Sequence, residues 1–242
     1  MSGLPDWTIP VSEAGAVVTV DTREVAARLG AVSRDDKRGE ILWYTNFEDG
    51  LSGLELSHSP TTRQVLLNAL HNHYGRNSLH ANFDAASGAS VYIYKRITEL
   101  ANQVVGFESA FTDHARLRYF ILYSDVYTGS ELLYCGIRYY HTGTGYLQLY
   151  TPDLWVNIAE GVMPLSDPYL FTPLKVVVDF SNRKYVRAIF GENEYDLSAY
   201  SVRAIAAASA KHTLLQNMIQ LASTGTMDVY VSHYALTKEE PL

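Results

Sequence analysis

The sequence predicts an all-β fold. Three observations carry that expectation. The stretch Thr172–Tyr200, TPLKVVVDFSNRKYVRAIFGENEYDLSAY, reads as three short strands joined by two tight turns. Lys175–Phe180 leads through Ser181-Asn182-Arg183 into Tyr185–Phe190, and Gly191-Glu192-Asn193 leads into Glu194–Leu197. Strand candidates recur about every ten residues along most of the chain, the rhythm of a β-sandwich. Finally, 242 residues is a normal length for one such domain. A chain of this size buries roughly 70–75% of its unfolded surface, so a full core forms without disulfide staples.

The elements follow in chain order. Residues 1–38 read as an N-terminal extension in which Thr22–Leu29 has a helical pattern between an N-cap threonine and Gly30. Residues 39–238 read as the folded domain. Glu40–Phe47 is strand-like, Glu48-Asp49-Gly50 turns it, and Leu51–Leu56 continues as a second extended piece. Thr62–Ala69 fits helix and strand equally. Asn77–Phe83, Ser90–Arg96, Gln103–Phe111 and Leu117–Tyr123 follow as strands, and Ser124–Ser130 as a polar loop. Leu132–His141 and Tyr146–Tyr150 form a hairpin across Thr142-Gly143-Thr144. Asp153–Ile158 is a short strand and Pro164–Phe171 a loop. Within Ser201–Thr224 the Ala-rich start favours helix by propensity, but the surrounding rhythm favours strand for Leu214–Leu221. Met227–Ala235 is the last strand, ahead of a short charged tail.

Composition narrows the function. A net charge of −7 argues against nucleic acid, whose phosphates need clustered Lys and Arg, and against an anionic membrane surface. It suits neutral or cationic partners. The single cysteine, Cys135, lies in an apolar run and reads as an inert buried thiol. No apolar stretch is long enough to span a membrane. No secretory signal is visible at the N-terminus, which leaves the location open between the cytoplasm and export by another route. The chain is rich in tyrosine, with 18 residues, a side chain suited both to sheet surfaces and to sugar contacts.

Four pieces, TNFEDGLSGLEL (Thr45–Leu56), YGRNSLHANF (Tyr74–Phe83), VGFESAFT (Val105–Thr112) and Thr172–Tyr200 together with the terminal MDVYVSHYALT, resemble the concanavalin A-like lectin/glucanase superfamily, including its laminin-G-like modules. The resemblance covers most of residues 40–237. It implies a jelly-roll of two antiparallel sheets, one flatter and one curved, whose concave face or rim loops bind glycans and in some members hydrolyse them.

The residues themselves point in the same direction with less force on catalysis. The carboxylate spacing of a retaining glycosidase is absent: Glu48-Asp49 point to opposite faces, Glu239-Glu240 lie in the tail, and Glu192, Glu194 and Asp196 straddle a turn. The strand acids Glu108 and Asp179 are the remaining candidates for an acid and a nucleophile meeting across a sheet. In the hairpin, alternation sends Leu133, Cys135, Ile137, Leu147 and Leu149 to the core. Tyr134, Arg138, Tyr140, Tyr146, Gln148 and Tyr150 go to the other face. Rings that stack on pyranoses beside Arg and Gln hydrogen-bonding groups make a sugar platform. The alternative is a tyrosine-rich face stabilised by cross-strand pairing or covered by the N-terminal extension. His71, His73 and His80 lack the ligand set of a zinc site. Calcium at a rim loop, with Asp84 or Asp125 as a ligand, stays unassigned, and no cofactor is expected. Three functions therefore stand: a non-catalytic glycan binder, with an oligo- or polysaccharide partner; a glycoside hydrolase with a carboxylate pair in the concave face; and a structural or assembly module that forms homo-oligomers.

Overall fold

The computed structural model describes residues 38–58, 62–71, 77–85, 88–98, 100–165 and 170–242. The strands are β1 (Glu40–Thr45), β2 (Glu55–His58), β3 (Thr62–Asn68), β4 (Ser78–Ala85), β5 (Ser90–Ile97), β6 (Val104–Thr112), β7 (Leu117–Tyr127) and β8 (Glu131–Thr142). They continue as β9 (Thr144–Tyr150), β10 (Trp155–Glu160), β11 (Phe171–Asp179), β12 (Lys184–Phe190), β13 (Asn193–Asp196), β14 (Arg203–Ala206), β15 (His212–Leu221) and β16 (Gly225–Lys238). No helix occurs among the described residues.

Two antiparallel sheets result. Sheet I runs β13-β12-β11-β6-β16-β4-β3, with β1 also pairing β16, and sheet II runs β10-β9-β8-β7-β15-β5-β2, with β14 also pairing β8. They form a jelly-roll β-sandwich that does not close into a barrel. Alternation along each strand sends one set of side chains between the sheets. In sheet I these include Phe107, Phe111, Val176 and Phe190; in sheet II they include Phe120, Ile137, Tyr139 and Leu149. Four of these rings join the layers: Phe111 stacks on Phe120 at 4.0 Å, and Tyr139 lies 5.5 Å from Phe190 and 5.8 Å from Phe111.

The FEDG turn is anchored by its phenylalanine. Phe47 adopts a φ of 64°, a region costly for a bulky residue. Its ring is fully buried and meets Tyr234 edge-on at 5.7 Å, and its carbonyl accepts bonds from Gly50 N–H and the Asn77 side chain. Burial of the ring holds the strained backbone in place.

Several sequence expectations change. The polar loop expected at Ser124–Ser130 is largely strand. β7 runs through Tyr127, paired to β15 on one side and β8 on the other, because Ser124 and Val126 face the core while Asp125 faces outward. Leu51–Gly53 is turn, so the second extended piece is confined to β2. The ambiguous Thr62–Ala69 forms β3, and the Ala-rich Arg203–Ala206 forms β14, since pairing to β4 and β8 overrides helix propensity. The helix expected at Thr22–Leu29 lies outside the described residues.

The charged tail is not a solvated end. Glu240 is buried, 3% exposed, and its carboxylate pairs with Lys175 Nζ at 2.6 Å and with Arg187, and accepts the Thr237 hydroxyl. Lys175 in turn lies 3.9 Å from Glu108. Buried charges are tolerated only when paired. Glu240→Ala leaves Lys175 and Arg187 without this partner and is expected to lower the unfolding free energy by about 3–5 kcal/mol, read from urea denaturation.

A second device ties the sheets together. Tyr185 rises from β12 in sheet I, and its hydroxyl donates to the Tyr150 carbonyl at 2.6 Å and accepts the Gly136 N–H at 3.0 Å, both in sheet II. Burial pushes its phenol well above the ordinary tyrosine range, so it stays neutral. Tyr185→Phe strands both backbone groups and is expected to cost about 2 kcal/mol, seen as a lower urea midpoint with an unchanged slope.

Candidate functional site

The outward face of sheet II collects the chemistry. Tyr92, Tyr94, Tyr119, Tyr123, Tyr127, Tyr134, Tyr140, Tyr146 and Tyr150 lie on it, half of the 18 tyrosines. All nine are half-buried rather than fully covered. The register sets them in rows. The central row runs Tyr92, Met218, Ile121, Arg138, Gln148, Asn157. One flanking row carries Tyr119, Tyr140, Tyr146 and Glu160, and the other carries Tyr94, Gln216, Tyr123 and Gly136. Beyond it lie Arg96, Leu214, Asp125, Tyr134 and Arg203.

Arg138 stands at the centre. Its guanidinium lies 4.2 Å from the Trp155 ring centroid, 4.5 Å from that of Tyr119 and 5.4 Å from that of Tyr140. Its Nε donates to Gln148 Oε1 at 2.6 Å, and Gln148 Nε2 donates to Asn157 Oδ1 at 2.6 Å. A hydrogen-bonded chain thus crosses three strands and fixes the guanidinium against the rings. Burial pulls the guanidinium somewhat below its usual range, and it stays cationic at neutral pH.

Gly136 shapes the neighbouring row. A Cβ there would meet Tyr123 Cδ1 at 2.8 Å, so the Tyr123 ring lies over the glycine. From there it meets Trp155 at 5.7 Å, and Trp155 meets Tyr150 at 5.2 Å. Burial pushes the Tyr123 phenol up to about 12. At the far end Arg203 donates to the Tyr150 hydroxyl at 2.7 Å.

The six hairpin residues singled out from sequence, Tyr134, Arg138, Tyr140, Tyr146, Gln148 and Tyr150, all project from this face. Sequence reasoning missed Trp155, Asn157, Tyr119, Tyr123 and Gln216, and named Asp125 only as a calcium ligand in a rim loop. Their strands join the hairpin only through sheet pairing, although the Tyr alternation in Leu117–Tyr127 is a readable signal. The acids Glu108 and Asp179 are not brought together. Both belong to sheet I, and the register sets Glu108 opposite Lys175, four residues from Asp179. Glu108 lies 3.3 Å from His233 Nε2, and Asp179 accepts the backbone and side-chain N–H groups of Asn182, which closes the β11–β12 turn. His80 bonds Asp228 at 2.7 Å, whereas His73 and the Asp84 side chain lie outside the described residues. No cluster of three His, Cys, Asp or Glu side chains able to hold a metal occurs among the described residues.

Asp125 is the acid that sequence reasoning had placed in a loop. It is 9% exposed, accepts Gln216 Nε2 at 2.6 Å, and burial pushes its carboxyl up to about 6. The folded chain therefore holds this proton more tightly than the unfolded chain, whose aspartate titrates near 4. Asp125 carries no penalty below about pH 4, and its penalty grows as pH rises to about 6, reaching on the order of 2 kcal/mol. Asp125→Asn keeps an acceptor for Gln216. It is expected to be more stable than the parent at pH 7.5, with the difference gone at pH 4, in urea titrations at the two pH values.

No protein-family model matches the sequence, and no curated protein matches it. Solved structures do resemble the fold. A conserved carbohydrate esterase from the Shiga toxin-encoding bacteriophage phi24B superposes with a TM-score of 0.54 at 12% identity, covering 83% of this chain and 99% of its own. A Bacillus subtilis protein of unknown function with a galectin-like fold gives 0.49 at 12% identity, covering 84% and 97%. A Bacillus licheniformis β-glucanase gives 0.40 at 11% identity, covering 83% and 98%. Of the three, the esterase exceeds 0.5, and at its identity the likeness concerns the fold alone. The shared architecture is a β-sandwich of two antiparallel sheets.

Proposed function

We propose that the outward face of sheet II binds a glycan without transforming it. The observation that carries this reading is the Arg138–Gln148–Asn157 chain set among the half-buried rings of Trp155, Tyr119 and Tyr140. Sugars present an apolar ring face and a rim of hydroxyls. Aromatic rings match the first, and amide and guanidinium groups with fixed directions match the second. Side chains already held by neighbours lose little freedom on binding. In this reading Tyr134, Tyr140, Tyr146 and Tyr150 extend the platform along the hairpin, and residues 39–238 form the binding domain. By its description the phage esterase of like fold acts on carbohydrate, but fold likeness does not by itself transfer an activity.

A second reading rests on Asp125. A buried carboxyl with a raised pKa on a ligand face is suited to general-acid work. Hydrolysis would need a second carboxylate about 5–10 Å away. Release of new reducing ends from a bound glycan, lost in Asp125→Asn, is the result that would favour it.

Binding is tested by a glycan array spanning plant, microbial and host structures. The parent chain is expected to bind. Trp155→Ala and the Tyr134→Ala, Tyr146→Ala double variant are expected to lose roughly tenfold or more in affinity, about 1.4 kcal/mol, while keeping the β-sheet circular dichroism. Silence across the array, or full binding by these variants, rejects the reading.

A further inference from the structure

The next step rests on the reading of sheet II as a glycan-binding face and names the glycan's class. We propose that the ligand is an acidic glycan, and that Arg138 binds a uronic acid carboxylate.

Arg138 has no anionic partner among the described residues. Its Nε is committed to Gln148, while its terminal Nη1 and Nη2 donate to no group among the described residues, and no carboxylate pairs with it there. A guanidinium half withdrawn from water loses hydration, and proteins ordinarily return that energy with an anion. Three other arginines meet a carboxylate, Arg38 with Glu194, Arg183 with Glu131 and Arg187 with Glu240, while Arg116 and Arg203 donate to the Thr226 carbonyl and the Tyr150 hydroxyl. Arg138 differs in being held by rings and an amide, which fix its plane and leave its paired N–H fork unspent.

That fork matches a carboxylate bidentately. A uronate holds its carboxylate on the carbon next to the ring oxygen, so a pyranose ring against Trp155 or Tyr119 sets its acid beside Arg138. A second cation extends the site. Arg203 lies four residues along and one strand across from Arg138, about 14 Å by sheet geometry. It is held by the Tyr150 hydroxyl and faces Tyr134 at 6.0 Å. An extended oligouronide spans both.

The acids of this face stand apart from Arg138: Glu55 lies opposite Tyr94 on the β2 edge, Asp125 lies four residues along and one strand across and accepts Gln216 Nε2, and Glu160 at the rim accepts the Tyr146 hydroxyl. Charges lying beyond the roughly 8 Å screening length at physiological salt act only weakly on the contact.

Calorimetric titration of the full chain with oligogalacturonide, with oligoglucuronide, with their carboxyl-reduced counterparts, and with a sulfated glycan tests the proposal. The parent is expected to bind a uronide roughly tenfold or more tighter than its reduced form. Arg138→Gln is expected to bring that ratio to about one, with the neutral form bound more weakly as well, and Arg138→Lys to fall between. Because carboxyl reduction alters the ligand alone, the comparison holds even where a variant folds poorly. Equal or tighter binding of the reduced glycans overturns the uronate assignment and leaves the glycan-binding face standing. Arg138-dependent preference for the sulfated glycan replaces carboxylate with sulfate and overturns it also. Failure to bind any of these together with a silent array removes the face itself.

Discussion

Tyr185 belongs to sheet I, yet both hydrogen bonds of its hydroxyl are made in sheet II. They fall where β8 changes partner. β8 pairs β9 through Ile137 and β14 through Tyr134, and between them Cys135 and Gly136 have no strand on that side. The Gly136 N–H and the Tyr150 carbonyl would be orphaned there, at an energetic cost that a buried backbone group does not escape. The phenol fills the gap as donor to one and acceptor for the other. It allows β8 to serve two neighbours, and it fixes the depth of sheet II against sheet I at the middle of the tyrosine-rich face.

The outward face inherits its order from that point. Gly136 has no side chain, so Tyr123 lies over it and reaches Trp155. Tyr150, whose carbonyl Tyr185 holds, places its ring against the same tryptophan and its hydroxyl against Arg203. Arg138, one row along, is locked between rings and Gln148. A buried interlayer bond and an exposed array are thus parts of one arrangement. The opposite sheet works differently. Its polar centre of Glu108, Lys175, Arg187 and Glu240 is shut away and internally paired, which makes it a closure for the C-terminus and not a surface for a ligand.

Much of this was legible in the chain. The period-two alternation of Leu132–Tyr150 sorted core from surface residue by residue, because a strand has no other way to place adjacent side chains. The turns at Ser181–Arg183 and Gly191–Asn193 were readable from composition. Other parts were hidden. Asp125 in a run of polar residues resembled a loop until pairing on both sides made it strand. Glu240 read as part of a short charged tail because its cationic partners are 53 and 65 residues away in β12 and β11. Glu108 and Asp179 looked like a candidate pair because nothing in sequence shows which strand register separates them.

The amino-acid sequence by itself determined the all-β character, most of the strands and the polarity of the hairpin faces, since these follow from local periodicity and turn chemistry. It also marked the hairpin that carries Arg138 and Gln148. Only the tertiary structure decided which strands lie beside that hairpin. Trp155 and Asn157 arrive through β9–β10 pairing, Tyr119 and Tyr123 through β7, and Gln216 through β15, the last of these from a segment more than sixty residues further along the chain. Strand order is set by non-local hydrogen bonds and by burial between layers, energies that no short window of sequence contains.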